Sequence, residues 1–218
     1  MVIKLLKSNI VLNAQRHNPS EVSYEWIKSI LDKKPLTSIN IPQMTLYDYE
    51  DLVLIVNDQS LIAEIKPVPD DKDTNTERME TVKKIVEEYI KEFKHVPFKN
   101  IGLNYIWSVE FTKEEPIPDL KPSLNIMFEA LFGTDKDKIS FGSIIKVKDD
   151  KMGYLLTLKI EPQTQNVMVF NFNYHYDISD ILESEKIKKL KEIISRYAEE
   201  FYEGSKTIVN SISNKEGK

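Results

Sequence analysis

The chain has 218 residues, of which 41% are hydrophobic and 30% are charged, a balance typical of a soluble globular protein with one large domain or two small ones. Its 35 acidic and 30 basic side chains give a formal charge of -5, so the chain as a whole does not attract phosphate polymers. The absence of cysteine excludes disulfides and thiol catalysis and fits a reducing compartment. Because no apolar segment resembles a membrane span or a signal peptide, we expect a cytoplasmic protein with no membrane partner.

The first elements in chain order are a strand and a helix. Alternating apolar residues predict a strand over residues 9–15. The sequence Asn18-Pro19-Ser20-Glu21 then combines an N-cap, a proline at the first helical position and a capping-box glutamate. We therefore expect one helix from residue 19 to residue 31.

Extended segments follow this helix. Residues 38–46 predict an edge strand with a bulge at Pro42, and residues 51–56 and 61–66 predict a hairpin. Thr74-Asn-Thr-Glu77 is a second capping box and predicts an amphipathic helix that ends before Pro97.

The second part of the chain begins with a segment whose sequence is similar to one near the N-terminus. Asn100-Ile-Gly-Leu-Asn-Tyr105 nearly repeats Asn9-Ile-Val-Leu-Asn-Ala14, and its strand continues to Phe111 with Trp107 on the apolar face. The patterns that follow predict a helix, three strands (139–147, 154–160 and 167–176) and a last helix that extends to about residue 212. The first of these helices carries Leu124, Met127, Phe128 and Leu131.

These elements predict an α+β protein made of two similar β-α-β-β-β-α halves, residues 1–97 and 98–218. Each half would be an antiparallel sheet with its helices on one face, which leaves the opposite face free. The alternative is an undivided α+β domain in which the similarity of the two segments is a coincidence.

The strand at 167–176 is the first candidate binding surface. Met168, Phe170, Phe172, Tyr174 and Tyr176 share one face, which we assign to the core. Asn171, Asn173 and His175 share the other face and are candidate ligand-binding residues. The simpler interpretation is a solvated outer face, since any half-exposed strand alternates in this way.

Signatures of common catalytic and cofactor sites are absent from the sequence. It contains no nucleophile elbow, phosphate-binding glycine loop or zinc signature, and its histidines lack metal-ligand spacing. We therefore expect no metal and no cofactor.

One hairpin motif is an exception, because it resembles a known catalytic motif. Asp51 opens its first strand, and Glu64-Ile-Lys66 closes the second. This arrangement resembles the active-site hairpin of the PD-(D/E)xK nucleases, and the predicted order of helix, strands and helix around it resembles their core. The resemblance implies that Asp51 and Glu64 hold Mg²⁺ and that Lys66 helps to activate water. The sequence departs from the family pattern at Glu50, where the motif has proline, and no equivalent motif recurs in the second half.

A second resemblance involves the strand Ile101-Gly-Leu-Asn-Tyr-Ile106 and its place in mid-chain. It is similar to a strand in a sporadically distributed family of uncharacterised prokaryotic proteins, although Asn104 stands where that family tends to have a basic residue. This resemblance implies only a fold and a cytoplasmic origin.

We therefore expect a non-catalytic binding or interaction protein that belongs to a multi-protein prokaryotic system. Its expected partner is another protein or a second copy of the chain; nucleic acid is not favoured. The alternative is a Mg²⁺-dependent nuclease that uses Asp51, Glu64 and Lys66.

Overall fold

The computed structural model describes residues 1–111, 144–164 and 166–213. The predicted helix that carries Leu124, Met127, Phe128 and Leu131 lies outside the described residues. Within them, no helix is long and apolar enough to cross a membrane.

Nine strands of the described residues form one antiparallel sheet. Its order is β2-β3-β4-β5-β1-β6-β9-β8-β7, so β1 and β6 meet in the middle, and β2 and β7 are the outermost of the described strands. The strands are β1 Val2–Ala14, β2 Thr37–Ile41, β3 Met44–Asp48, β4 Leu52–Asn57, β5 Ser60–Ile65, β6 Phe98–Glu110, β7 Ile144–Asp149, β8 Tyr154–Pro162 and β9 Val167–Asp177.

The described helices pack on one face of this sheet, and the α+β prediction is confirmed. They are α1 Tyr24–Leu31, α2 Lys72–Glu92, α3 Glu183–Ser195 and α4 Tyr202–Ser213, with a π-helical segment, Tyr197–Phe201, between the last two. A row of register partners on the helix-covered face is buried throughout, as alternation requires. This row is Tyr47, Leu54, Ala63, Ile10, Leu103, Tyr174, Leu156 and Val147.

The predicted single helix over residues 19–31 is wrong. A 3₁₀ turn, Pro19–Glu21, comes first, and α1 begins after Ser23, whose hydroxyl accepts a hydrogen bond from the Trp26 amide at 3.1 Å. Side chains of β3 explain the break, because Thr45 donates to the Pro19 carbonyl at 2.7 Å and Tyr47 to the Val22 carbonyl at 2.9 Å. Those contacts hold the carbonyls in a turn.

Two further local predictions are also wrong. The α2 cap is Asp71, which accepts from the Thr74 amide at 2.9 Å, so the helix begins before the Thr74 capping box. The predicted bulge at Pro42 is a hairpin turn, because β2 and β3 pair in antiparallel register with Ile41 opposite Met44. The first half therefore has four strands after α1 instead of three.

Candidate functional site

The face of the sheet opposite the described helices, called here the open face, carries the candidate functional side chains of this chain. Its side chains alternate with the buried ones along every central strand and are half-buried or exposed for the most part. Because register partners on antiparallel strands point to the same face, residues from distant parts of the chain form continuous rows across it. Two such rows define the candidate site.

The amide row crosses the middle of the open face. Glu64 of β5 lies opposite Asn9 of β1, Asn9 opposite Asn104 of β6, and Asn104 opposite Asn173 of β9. Asn9 donates to a Glu64 carboxylate oxygen at 3.0 Å and accepts from Asn104 at 2.8 Å. Lys7 completes this end of the row with an ion pair to Glu64 at 2.6 Å. These hydrogen bonds and the ion pair hold the Glu64, Asn9 and Asn104 side chains in position.

The row ends at Asn173, whose Oδ1 atom is buried and has no hydrogen-bond partner among the described residues. Buried polar atoms nearly always have partners, and exceptions point to bound water, a ligand or a strained site. Beside it, Gly102 leaves a gap, since a methyl group added there would meet the Asn104 and Asn173 side chains only at ordinary contact distances of 3.6 and 3.8 Å.

The structure places the candidate binding residues Asn171, Asn173 and His175 together on the open face. Asn173 lies in the amide row, and His175 lies opposite Gly102 on one side and Leu155 on the other. Asn171 is half-buried beside Lys159, and its amide is 3.5 Å from a Glu161 carboxylate oxygen. The three residues form one end of a polar zone that also includes Asn9 and Asn104.

The aliphatic row lies beside the amide row on the open face. It crosses β2, β3, β4, β5 and β1, and it continues at Gly102 and His175. Its side chains are Ile39, Leu46, Ile55, Ile62 and Val11, which are half-buried or exposed. Sequence reasoning missed this row, although β4 carries the signal, since its Leu-Val-Leu-Ile-Val run is apolar on both faces.

The structure places Asp51, Glu64 and Lys66 in separate ion pairs. Asp51 is bonded to Lys33, Glu64 is bonded to Lys7, and Lys66 lies 2.5 Å from Asp48. The backbones of Asp51 and Lys66 are adjacent, with the Lys66 amide donating to the Asp51 carbonyl at 2.8 Å.

The two candidate carboxylates also differ in their surroundings. Asp51 lines an open cleft of about 500 Å³ together with Lys33, Lys34 and Arg78, whereas Glu64 belongs to the amide row. Within the described parts of the chain, no group of three or more acidic, histidine or cysteine side chains is arranged to hold a metal ion. The three hairpin residues thus have three different charged partners, Lys33, Lys7 and Asp48.

Comparison with known proteins gives no family for this chain. No protein-family model matches it, and no curated protein is similar to it.

Proposed function

We propose that this chain is a non-catalytic protein-interaction module whose partner protein binds the open face of the sheet. The aliphatic row carries the proposal, because it runs across five adjacent strands on the side of the sheet that the described helices do not cover. Contiguous apolar patches are uncommon on the surface of a monomer and mark interaction sites. A partner sheet or helix packed on this row would bury it.

The amide row supports the same proposal by giving the face polar specificity. Asn9 and Asn104 are already held by hydrogen bonds, so little of their side-chain freedom would be lost when a partner binds. Apolar contact would supply most of the affinity, and polar groups that match the amides would fix the orientation.

Charge defines the chemistry of the partner more closely. The open face is aliphatic at the β2 end and amide-rich in the centre, and at the β7 end it carries the exposed Lys146 and Lys148, of which Lys148 is paired with Asp150 at 2.9 Å. The complementary surface is therefore apolar at one end and acidic at the other. A nuclease does not account for this gradient, and the separate ion pairs of Asp51, Glu64 and Lys66 do not favour one.

Site-specific photo-crosslinking tests the proposal. A photoreactive amino acid replaces Ile62 on the open face, and the matched control carries it at Glu88 on the exposed side of α2. We expect one protein to be cross-linked at position 62 and not at position 88 in cells that express the chain. Cross-linking at position 88 alone, or at neither position, would contradict the proposal.

The captured partner then allows a quantitative measurement with purified proteins. Ile55→Lys places a charge in the aliphatic row and should weaken binding by about tenfold or more, which corresponds to about 1.4 kcal/mol. Lys91→Ala on α2 is the control and should leave binding unchanged. Equal affinity of the Ile55→Lys variant and the unmodified chain would exclude the open face as the binding surface.

A further inference from the structure

Strand β2 is the least protected edge of the sheet. It pairs with β3 alone among the described residues, and all of its residues, Thr37–Ile41, are exposed. An edge strand carries a line of backbone amide and carbonyl groups that another strand can bind.

The outermost strands β2 and β7 differ in the number of charged residues that they carry. The other edge strand, β7, has Lys146, Lys148 and Asp149 within its six residues. Charged side chains, lysine above all, are a usual means of preventing strands from adding to an edge. Strand β2 has the sequence Thr-Ser-Ile-Asn-Ile and no charged residue. Among the described strands, the β7 edge is thus protected by charge, and the β2 edge is open to pairing.

The sequence of β2 is suited to antiparallel pairing with itself. With Ile39 at the centre, Ile39 lies opposite its own equivalent, Ser38 opposite Asn40, and Thr37 opposite Ile41. No pair in this register brings like charges together, and the central pair joins two β-branched aliphatic side chains, a favourable cross-strand combination. A twofold axis through the centre makes both copies use the same surface.

We propose that β2 binds β2 of a second copy of this chain, antiparallel and centred on Ile39, so that the two sheets become one. Ile39 is also the outermost member of the aliphatic row. Pairing at this edge therefore joins the aliphatic rows of the two copies into a single row on a doubled open face. This inference concerns the edge and not the face, and it stands whether or not a partner binds the open face.

A charge exchange at the centre of the interface tests the proposed register. The unmodified chain should be a dimer by analytical ultracentrifugation, and Ile39→Lys should be a monomer because it places two ammonium groups opposite each other. Ile144→Lys is the matched control, since Ile144 of β7 is 41% exposed and Ile39 is 38% exposed. That control should remain a dimer.

Mixing two variants then provides a rescue. I39E alone should also be a monomer, whereas an equal mixture of I39K and I39E should form a heterodimer that dissociates at high salt. A monomeric unmodified chain, a dimeric I39K variant or a mixture without heterodimer would each overturn the proposal.

Cysteine cross-linking is a second test, and it does not require the Ile39→Lys variant to fold. The sequence contains no cysteine, so an introduced thiol is the only one in the chain. Ile39→Cys introduces a single thiol, and directly opposed residues of an antiparallel pair have Cβ atoms about 4.5–5.5 Å apart. A short cross-linker with two maleimide groups, each of which adds one thiol to form a thioether, should convert this variant to a covalent dimer and leave Ile144→Cys monomeric in a denaturing gel. Equal yields for the two variants would overturn the proposed interface.

Discussion

His17 connects the end of β1 to α2 through a buried imidazole that is only 1% exposed. Its Nε2 lies 3.2 Å from the Leu12 carbonyl oxygen, and its Nδ1 lies 2.8 Å from the Tyr89 hydroxyl. Since a carbonyl only accepts hydrogen bonds, Nε2 carries the proton and Nδ1 accepts from Tyr89. Burial disfavours the charged imidazolium and lowers the pKa of His17 from 6.5 to about 4.

This shift predicts a loss of stability in acid. With a pKa of about 4 in the folded chain and 6.5 in the unfolded chain, the unfolded chain binds more protons between these values. The contribution of His17 is therefore complete above pH 6.5 and falls by roughly 3 kcal/mol as the pH drops to about 4. Urea denaturation from pH 7.5 to pH 4 measures the change.

Carboxylates also titrate in acid, so the measurement needs a variant without the buried imidazole. His17→Gln should show a shallower decline of the free energy of unfolding than the unmodified chain over this pH range. His95→Gln is the control because His95 is exposed, with 66% of its side chain accessible. Identical pH profiles for the His17→Gln variant and the unmodified chain would contradict the assigned role of the imidazole.

At the level of elements, aromatic side chains of β6 form hydrogen bonds with the helical layer. The Trp107 indole donates to the Ser205 hydroxyl of α4 at 3.0 Å, and the Tyr105 hydroxyl donates to the Tyr197 carbonyl of the π-helical segment at 2.5 Å. Burial raises the pKa of Tyr105 well above its ordinary value, so this hydroxyl stays protonated. Hydrogen bonds in this buried layer fix the position of α4 on the sheet.

Truncation of Trp107 should therefore be costly. Trp107 is 2% exposed, and we expect Trp107→Ala to lose about 3–5 kcal/mol of unfolding free energy through the cavity that it leaves. Trp107→Phe keeps much of the buried area and should lose less. Urea denaturation followed by circular dichroism measures both variants. A loss below about 1 kcal/mol for Trp107→Ala would show that this face of β6 is not core.

Much of this arrangement could be predicted from strand alternation alone. The predictions that Trp107 and Phe172 are core residues are confirmed, with 2% and 1% of their surfaces exposed. Alternation succeeds because it depends only on the pleat of a strand. The prediction failed for the first helix, where tertiary contacts from Thr45 and Tyr47 hold the carbonyls of Pro19 and Val22.

The candidate site was harder to predict because it depends on strand order and register. Alternation placed Asn104 and Asn173 on polar faces, but it could not show that they lie opposite each other or that Asn9 bonds to Glu64. These contacts join residues from β1, β5, β6 and β9, and no local pattern encodes such pairings. The aliphatic row has the same origin, since each strand contributes a single member at its register position.

At the scale of the whole molecule, β1 and β6 pair at the centre of the sheet. Asn9 lies opposite Asn104, and Asn13 lies opposite Asn100, with an Asn13–Asn100 side-chain hydrogen bond of 2.6 Å. These are the pairings that a twofold relation between the two similar sequence segments would produce. The internal duplication stays a prediction, and superposition of the halves with Asn9 on Asn100 tests it.

The last prediction concerns metal ions and nucleic acid. Each hairpin residue of the nuclease alternative already has an oppositely charged neighbour, since Asp51 is bonded to Lys33, Glu64 to Lys7 and Lys66 to Asp48. A divalent cation would have to displace these lysines and draw two separately bound carboxylates together. We therefore expect Mg²⁺ and Mn²⁺ to leave the melting temperature unchanged, because an ion that does not bind the folded chain cannot stabilise it.

The same reasoning predicts no cleavage of DNA or RNA in the presence of either metal ion, and the formal charge of -5 gives no general attraction for a phosphate backbone. The measurement compares the unmodified chain with Glu64→Ala, with a chelator as the blank. Glu64→Ala also leaves Lys7 and the Asn9 amide without their carboxylate partner, so its stability should fall by about 1–3 kcal/mol while its fold is retained. Metal-dependent cleavage that disappears in the folded Glu64→Ala variant would contradict the interaction-module proposal and favour the nuclease.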